Sequence, residues 1–297
     1  MHEDRKLFCF GFGYTALSLA RLLSKEGWVV TGTSRSTDRI KKLASYGFTA
    51  HLFNSDRPKV QSTNEFKTYK YFLISIPPQM NGDAVIQSYM DIISKLKKVV
   101  WVGYLSTTGV YGDSNGAMVD EKSPLNPTSN RSKRRVDAEK AWQASYKTYG
   151  LPIHIFRLPG IYGSKRSVFN QIDAGRHKVL RKPGHKFSRI HVDDIASALS
   201  ASIKMPKPGA IYNVCDDEPA PPANVTKFAC HLLQIIPPPE INWEKAKLTM
   251  SPMALSFWQD NRTIDNSLIK NELGWALKYP TYREGLRAIF NEYYNKK

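Results

Sequence analysis

The chain has 297 residues, 41% hydrophobic and 23% charged, the balance of a soluble globular protein long enough to bury a full core. Lys and Arg number 43 against 26 Asp and Glu, a net +17 that draws in anions, but the cations are scattered (Lys41-Lys42, Lys97-Lys98, Arg134-Arg135, Lys296-Lys297), which reads as steering or proteome bias rather than nucleic-acid binding. Three distant cysteines without a C-x-x-C pair exclude a disulfide framework or zinc site, no apolar run reaches membrane-spanning length, and a strand beginning by residue 6 or 7 leaves no room for a signal peptide, so a reduced, cytoplasmic monomer or homodimer is expected.

Lys6–Phe10 is an apolar strand, Gly11-Phe12-Gly13-Tyr14-Thr15-Ala16 a glycine-rich turn, residues 17–23 an amphipathic helix and residues 28–35 a second strand. Strand, G-x-G-x-x-A, helix and strand within about 30 residues match the dinucleotide-binding fingerprint. Gly11 permits the sharp turn, Gly13 lets a diphosphate approach the backbone, and Ala16 keeps the helix against the sheet. The N–H groups opening the helix, around Tyr14 and Thr15, face the phosphates. The alternative is a tight turn with no ligand.

An NAD site would carry an acid about 20 residues beyond the glycines. Residues 31–37 contain none; they contain Arg35, with Ser34 beside it and Thr33 and Ser36 nearby. A guanidinium among hydroxyls suits a 2′-phosphate, so NADP is expected ahead of NAD. The competing reading is a solvated loop cation.

Residues 38–46 read as a basic helix and 48–53 as a third strand with Asn54 at its end. Residues 70–76 form a fourth strand, stopped by Pro77-Pro78, which turn the chain out over the carboxyl edge of the sheet. Ligands bind at that edge in open α/β folds, so Asn54, Ile76 and Pro77 join the cofactor set. A helix over 89–96 and a fifth strand over 99–105 continue the alternation expected of a doubly wound parallel sheet.

The fifth strand leads into Ser106-Thr107-Thr108-Gly109-Val110-Tyr111-Gly112-Asp113. With the fingerprint, this resembles the extended short-chain dehydrogenase/reductase superfamily, the NAD(P)-dependent epimerases, dehydratases and reductases. Residues 120–127, 156–163, 189–196 and 282–286 agree along nearly the whole chain. The resemblance implies a Rossmann-type fold with a smaller C-terminal substrate lobe: residues 1–163 bind cofactor, about 188–215 complete the sheet, and 164–187 with 216–297 cover the substrate. It also implies Leu158 and Pro159 on the nicotinamide side. Past residue 196 the reading is a helix over 195–203, a strand over 210–215 and a helix over 225–234, then a stiff Pro237-Pro238-Pro239 linker.

In the superfamily a hydroxyl residue, a Tyr and a Lys four residues later move the substrate proton and hold the cofactor ribose. Thr107 matches the hydroxyl position, with Ser106 beside it; strand-end hydrogen bonding is the other reading of both. The stretch over residues 127–140, where that Tyr and Lys would fall, has no tyrosine. One register places Arg131 at the Tyr position and Arg135 at the Lys position; counting from Lys133 places Ser129 at the Tyr position. The first register resembles an atypical, nucleoside-diphosphate-sugar epimerase-like branch that lacks the Tyr. A guanidinium with a pKa above about 12 is a poor acid near neutrality, though Arg135 could hold the cofactor ribose or an anionic substrate. Tyr111 is read as packing in the fold. His191 and Asp193 resemble a metal pair, but Asp193 or Asp194 as a helix N-cap is simpler, and no metal is expected. Arg157, with Arg181 and His185 of the basic stretch 176–186, is assigned to the substrate anion; a solvated loop is the alternative. Two functions stay open: an NADP-dependent reductase or epimerase for a phosphorylated or nucleotide-linked compound, and a cofactor-binding regulator or assembly factor that lost its chemistry.

Overall fold

Leu7 and Cys9 point to one face of the first strand and Phe8 and Phe10 to the other, so a strand buried on both sides carries an unbroken apolar run. The computed structural model of the protein describes residues 5–53 and 63–293. Its main sheet has seven strands: β1 Lys6–Phe10, β2 Val29–Ser34, β3 Thr49–Leu52, β4 Tyr71–Ile74, β5 Trp101–Thr107, β6 Ile153–Leu158 and β7 Ile211–Asn213. Their order is β7-β6-β5-β4-β1-β2-β3, and every neighbouring pair is parallel. The order reverses between β1 and β4, and the crevice beyond their carboxyl ends is the ligand position of such sheets.

Helices cover both faces. Helices α1 (Tyr14–Ser24) and α2 (Thr37–Ala44) share one face with a helix over Val192–Lys204, through Leu19, Leu23, Leu43, Ile195 and Leu199. On the other, Ala84–Ile93 is α3 and Asn130–Tyr149 is α4; Tyr89 and Trp142 pack there against Phe8, Phe10, Phe72 and Tyr104. Trp142 Nε1 donates to Asp83 Oδ2 at 3.2 Å, and the other oxygen of Asp83 caps α3.

The helix over Val192–Lys204, α5, corrects the capping expectation. His191 is the N-cap, its Nδ1 accepting from Asp193 N at 3.2 Å. Asp193 and Asp194 stand in the first turn, and the fully buried Asp194 carboxylate accepts from Lys278 N at 2.6 Å and Tyr279 N at 3.2 Å. It pins the C-terminal stretch to the sheet.

A smaller core of Tyr162, Phe169, Val225, Tyr282 and Leu286 lies outside the sheet. Ile269, Leu273 and Trp275 join the sheet-face core instead, so part of the segment 216–297 packs against the main sheet. Short parallel pairs, Gly160–Tyr162 with Arg189–His191 and Met118–Val119 with Thr263–Ile264, stitch the two halves together. Among the described residues no helix is long and apolar enough to cross a membrane. Nor does any group of three His, Cys, Asp or Glu among them suit a metal ion.

Candidate functional site

The glycine turn forms as its residue types dictate. Gly11 has φ +90°, and a Cβ there would stand 2.9 Å from both Ile76 Cγ1 and Ser75 Oγ. Its N–H donates to Thr33 Oγ1 at 2.9 Å and its carbonyl accepts from Ser75 Oγ at 2.5 Å, so β1, β2 and β4 all hold the turn. A Cβ on Gly13 would meet nothing within 4 Å. Packing within the protein therefore explains Gly11 but not Gly13, whose bare face meets open space. Gly13 is also the N-cap of α1 and offers no side chain to its first N–H groups, as a diphosphate site requires.

Beside this turn lies a cavity of about 340 Å³, walled by Gly11, Gly13, Ser34, Arg35, Ile76 and Pro77 among others. Every one of these belongs to the expected cofactor set. Thr15 and Ala16 are buried beneath it on the packed side of α1. Asn54 lies outside the described residues.

Sequence reasoning missed Arg39. The chain enters α2 through Ser36, whose hydroxyl accepts from Arg39 N at 3.3 Å. Arg39 then reaches back to the carbonyls of Phe12 and Gly13, each at 3.4 Å, and lines the same cavity. The available signal was spacing: a cap residue and a cation three positions on, directly after Arg35.

A second pocket of about 350 Å³ lies between the end of β5 and the smaller half. Thr107, Arg131 and Pro159 line it. Thr107 Oγ1 accepts from Gly109 N at 3.1 Å, capping the short helical turn Thr108–Tyr111 and leaving its own proton free to donate. Arg131, in the first turn of α4, lays its guanidinium 4.6 Å from the ring centroid of Phe257, which is half exposed at the pocket wall. The missed residues here are Arg166, Lys186, Arg189 and Arg262, which with Arg131 make five cations. The one carboxylate in the wall, Asp260, pairs with Arg262 at 3.0 Å and accepts from Thr128 Oγ1 at 2.7 Å. These cations come from segments far apart in the chain, which no local pattern links.

Several expected site residues lie elsewhere. Arg157 is 2% exposed and pairs with Glu139 at 2.8 Å; it also donates to Tyr111 Oη at 2.9 Å. Burial works against its charge, but the Glu139 carboxylate more than offsets that and holds the guanidinium protonated. It is an interior cation, not a substrate contact. Ser106 belongs to the same network, donating to Glu139 Oε1 at 2.5 Å. Tyr111 donates to Asn213 Oδ1 at 2.7 Å, and burial pushes its phenol up to about 12, which matches its reading as a packed residue.

His185 is also corrected. It is 2% exposed, stacked on Trp258 at 5.3 Å, and burial pushes it down to about 4, so it presents no charge to an anion at neutral pH. Arg181 is exposed on a short strand, 3.8 Å from Glu240, away from both cavities. Leu158 is buried in the sheet-face core. Arg135 donates to Tyr104 Oη at 2.9 Å and Leu105 O at 2.7 Å, tying α4 to the end of β5 and lining neither cavity.

Comparison with known proteins bears on the family and the fold. Residues 87–215 match the model of the NAD dependent epimerase/dehydratase family. A functionally unknown conserved protein from Silicibacter pomeroyi DSS is 44% identical, with a TM-score of 0.88 over 97% of this chain and 99% of its own. Protein YeeZ of Escherichia coli K12 is 27% identical over 289 residues, 93% of this chain and 97% of that protein. The fold is shared with dTDP-glucose 4,6-dehydratase from Bacillus anthracis in complex with NAD, at 18% identity and TM-score 0.76 over 98% of both chains.

Proposed function

This chain belongs to the NAD-dependent epimerase/dehydratase family, and from that premise we propose that it is an NADP-dependent oxidoreductase or epimerase acting on a phosphorylated or nucleotide-linked hydroxyl or carbonyl compound. The observation that carries this reading is the adenosine-side wall of the first cavity. Ser34, Arg35, Ser36 and Arg39 stand together there, with no carboxylate among the described lining residues. A 2′-phosphate would gain two cations and two hydroxyls; a bare ribose would lack the acid that usually holds it. The bare face of Gly13 and the uncapped start of α1 fit the diphosphate.

When bound, the coenzyme supplies a hydride donor or acceptor. The rest falls to this chain's own side chains. Thr107 offers its free proton to a substrate oxygen, and Arg131 with its four companion cations takes the anionic part. Arg135 keeps the end of β5 against α4 and so holds Thr107 in place.

Calorimetric titration with NADP and NAD tests the cofactor. Arg35→Ala should weaken NADP about 10- to 100-fold, the loss of one charge-assisted contact, and leave NAD nearly unchanged. Equal losses for both would refute the assignment.

One observation favours a second reading, a catalytically silent NADP-binding regulator or assembly factor. The described lining of the Thr107 pocket contains no tyrosine, histidine or cysteine, so the usual proton donor has no evident substitute. Turnover of NADPH with a nucleotide sugar or small carbonyl compound, lost in Thr107→Ala, would exclude that reading. Tight NADPH binding without turnover would support it.

A further inference from the structure

Arg166 stands on three walls, one of them in the cavity beside Tyr162 and Gln171. It lines the pocket beside Thr107 and Arg131, and also a cavity along α1, lined by Gly13, Tyr14 and Arg39, that adjoins the first cavity through Gly13 and Arg39. Its guanidinium lies 5.7 Å from the centroid of the Tyr14 ring, and it has no carboxylate partner among the described residues.

The backbone that carries it is clamped. Gly163 and Arg166 exchange two backbone hydrogen bonds of 3.0 Å, closing a tight turn. Gly163 has φ +155°, and a Cβ there would stand 2.6 Å from Tyr14 Oη and 2.8 Å from Val192 Cγ1. Tyr14 Oη donates to Ser164 O at 2.8 Å across 150 residues of sequence, and Ser164 Oγ also meets Tyr293 Oη. The first residue of α1 is thus bonded to the turn that presents the cation. A fixed backbone spares the main-chain ordering cost when the guanidinium binds an anion, leaving the cost of its side-chain rotamers.

We propose that Arg166 is a cation shared by the two halves of the site, contacting the coenzyme diphosphate on one side and the anionic group of the substrate on the other. This rests on the cofactor reading above. Lys165 supplies an internal control. It carries the same charge one residue away and lines the cavity at α1, but not the pocket beside Thr107.

The test uses the full chain and two calorimetric titrations: NADP into free protein, and inorganic pyrophosphate into NADP-saturated protein. Arg166→Ala should weaken each about tenfold, whereas Lys165→Ala should change pyrophosphate binding less than about twofold. The inference fails if Arg166→Ala leaves either titration unchanged. It also fails if Lys165→Ala matches it for pyrophosphate, or if NADP-saturated wild type binds no pyrophosphate. Wild-type protein that binds no NADP would instead overturn the cofactor reading on which this one stands.

Discussion

The proposed coenzyme cradle takes its walls from residues 11–13, 33–39, 53 and 75–79, whereas the pocket beside Thr107 takes its own from six separate stretches between residues 107 and 264. The cradle is held mostly by backbone and hydroxyl contacts between adjacent parallel strands, such as Gly11 N to Thr33 Oγ1 and Ser75 Oγ to Gly11 O. The pocket depends on a buried ionic network, Ser106, Glu139, Arg157, Tyr111 and Asn213, that joins β5, β6, β7 and α4 beneath it. A site made locally tolerates change in the rest of the molecule. A site assembled over long sequence separations inherits the stability of whatever joins its pieces.

The sharpest way to break this contrast is Glu139→Ala. It strands the Arg157 guanidinium in an interior where it is 2% exposed, and should cost about 3–5 kcal/mol in urea denaturation. NADP affinity of the protein that remains folded should stay within about twofold of wild type, since the cradle shares no member of the network. A large loss of NADP affinity in folded protein would show the two regions to be one.

A smaller effect comes from pH. Burial pushes His154, His185 and His191 each down to about 4. A depressed folded-state value means stability present above the unfolded value near 6.5 and lost as pH falls toward 4. Asp216 runs the other way: burial raises it to about 8, so its contribution, complete below 3.8, is lost as pH rises through 8. The melting temperature should therefore fall on both sides of a mildly acidic optimum, and Asp216→Asn should flatten the alkaline side. Because His185 stacks on Trp258 in the smaller half, the acid transition should appear in tryptophan fluorescence. A melting temperature that is flat from pH 4 to 8 would contradict both assignments.

The smallest expected effect is at a helix cap. Ser129→Ala removes the hydroxyl that accepts from Ser132 N at 3.1 Å and should cost about 1 kcal/mol in the same denaturation assay. Ser36→Ala, the corresponding cap of α2, should cost a similar amount but also weaken NADP, because Ser36 lines the cradle. Equal effects of the two on NADP would blur the distinction between the regions.

Arg35 and Arg157 show how far the chain could be read before its fold was known. Both are arginines at or near the carboxyl end of a sheet strand. Arg35 follows the last residue of an edge-side strand and stays exposed in the cradle. Arg157 lies inside β6, where the pleat aims it under the sheet toward Glu139 on α4. Their partners, not their residue type, separate them. His185 sits in a basic stretch of sequence, yet Phe187 and Trp258 fold over it and remove its charge. Scattered cations at 131, 166, 186, 189 and 262 carry no local signal, and the fold gathers them around one pocket.

By itself the sequence determined the glycine turn, the alternation of strand and helix, the absence of an acid after β2, and the lack of a tyrosine in the first half of α4. All are short-range features, set by φ/ψ limits, period-two and helical spacing, and side-chain chemistry within a few residues. Tertiary structure alone decided which cations line a cavity and which are neutralised inside. That choice depends on burial and on partners distant in the chain, and the free energy of a charge changes by several kcal/mol with each.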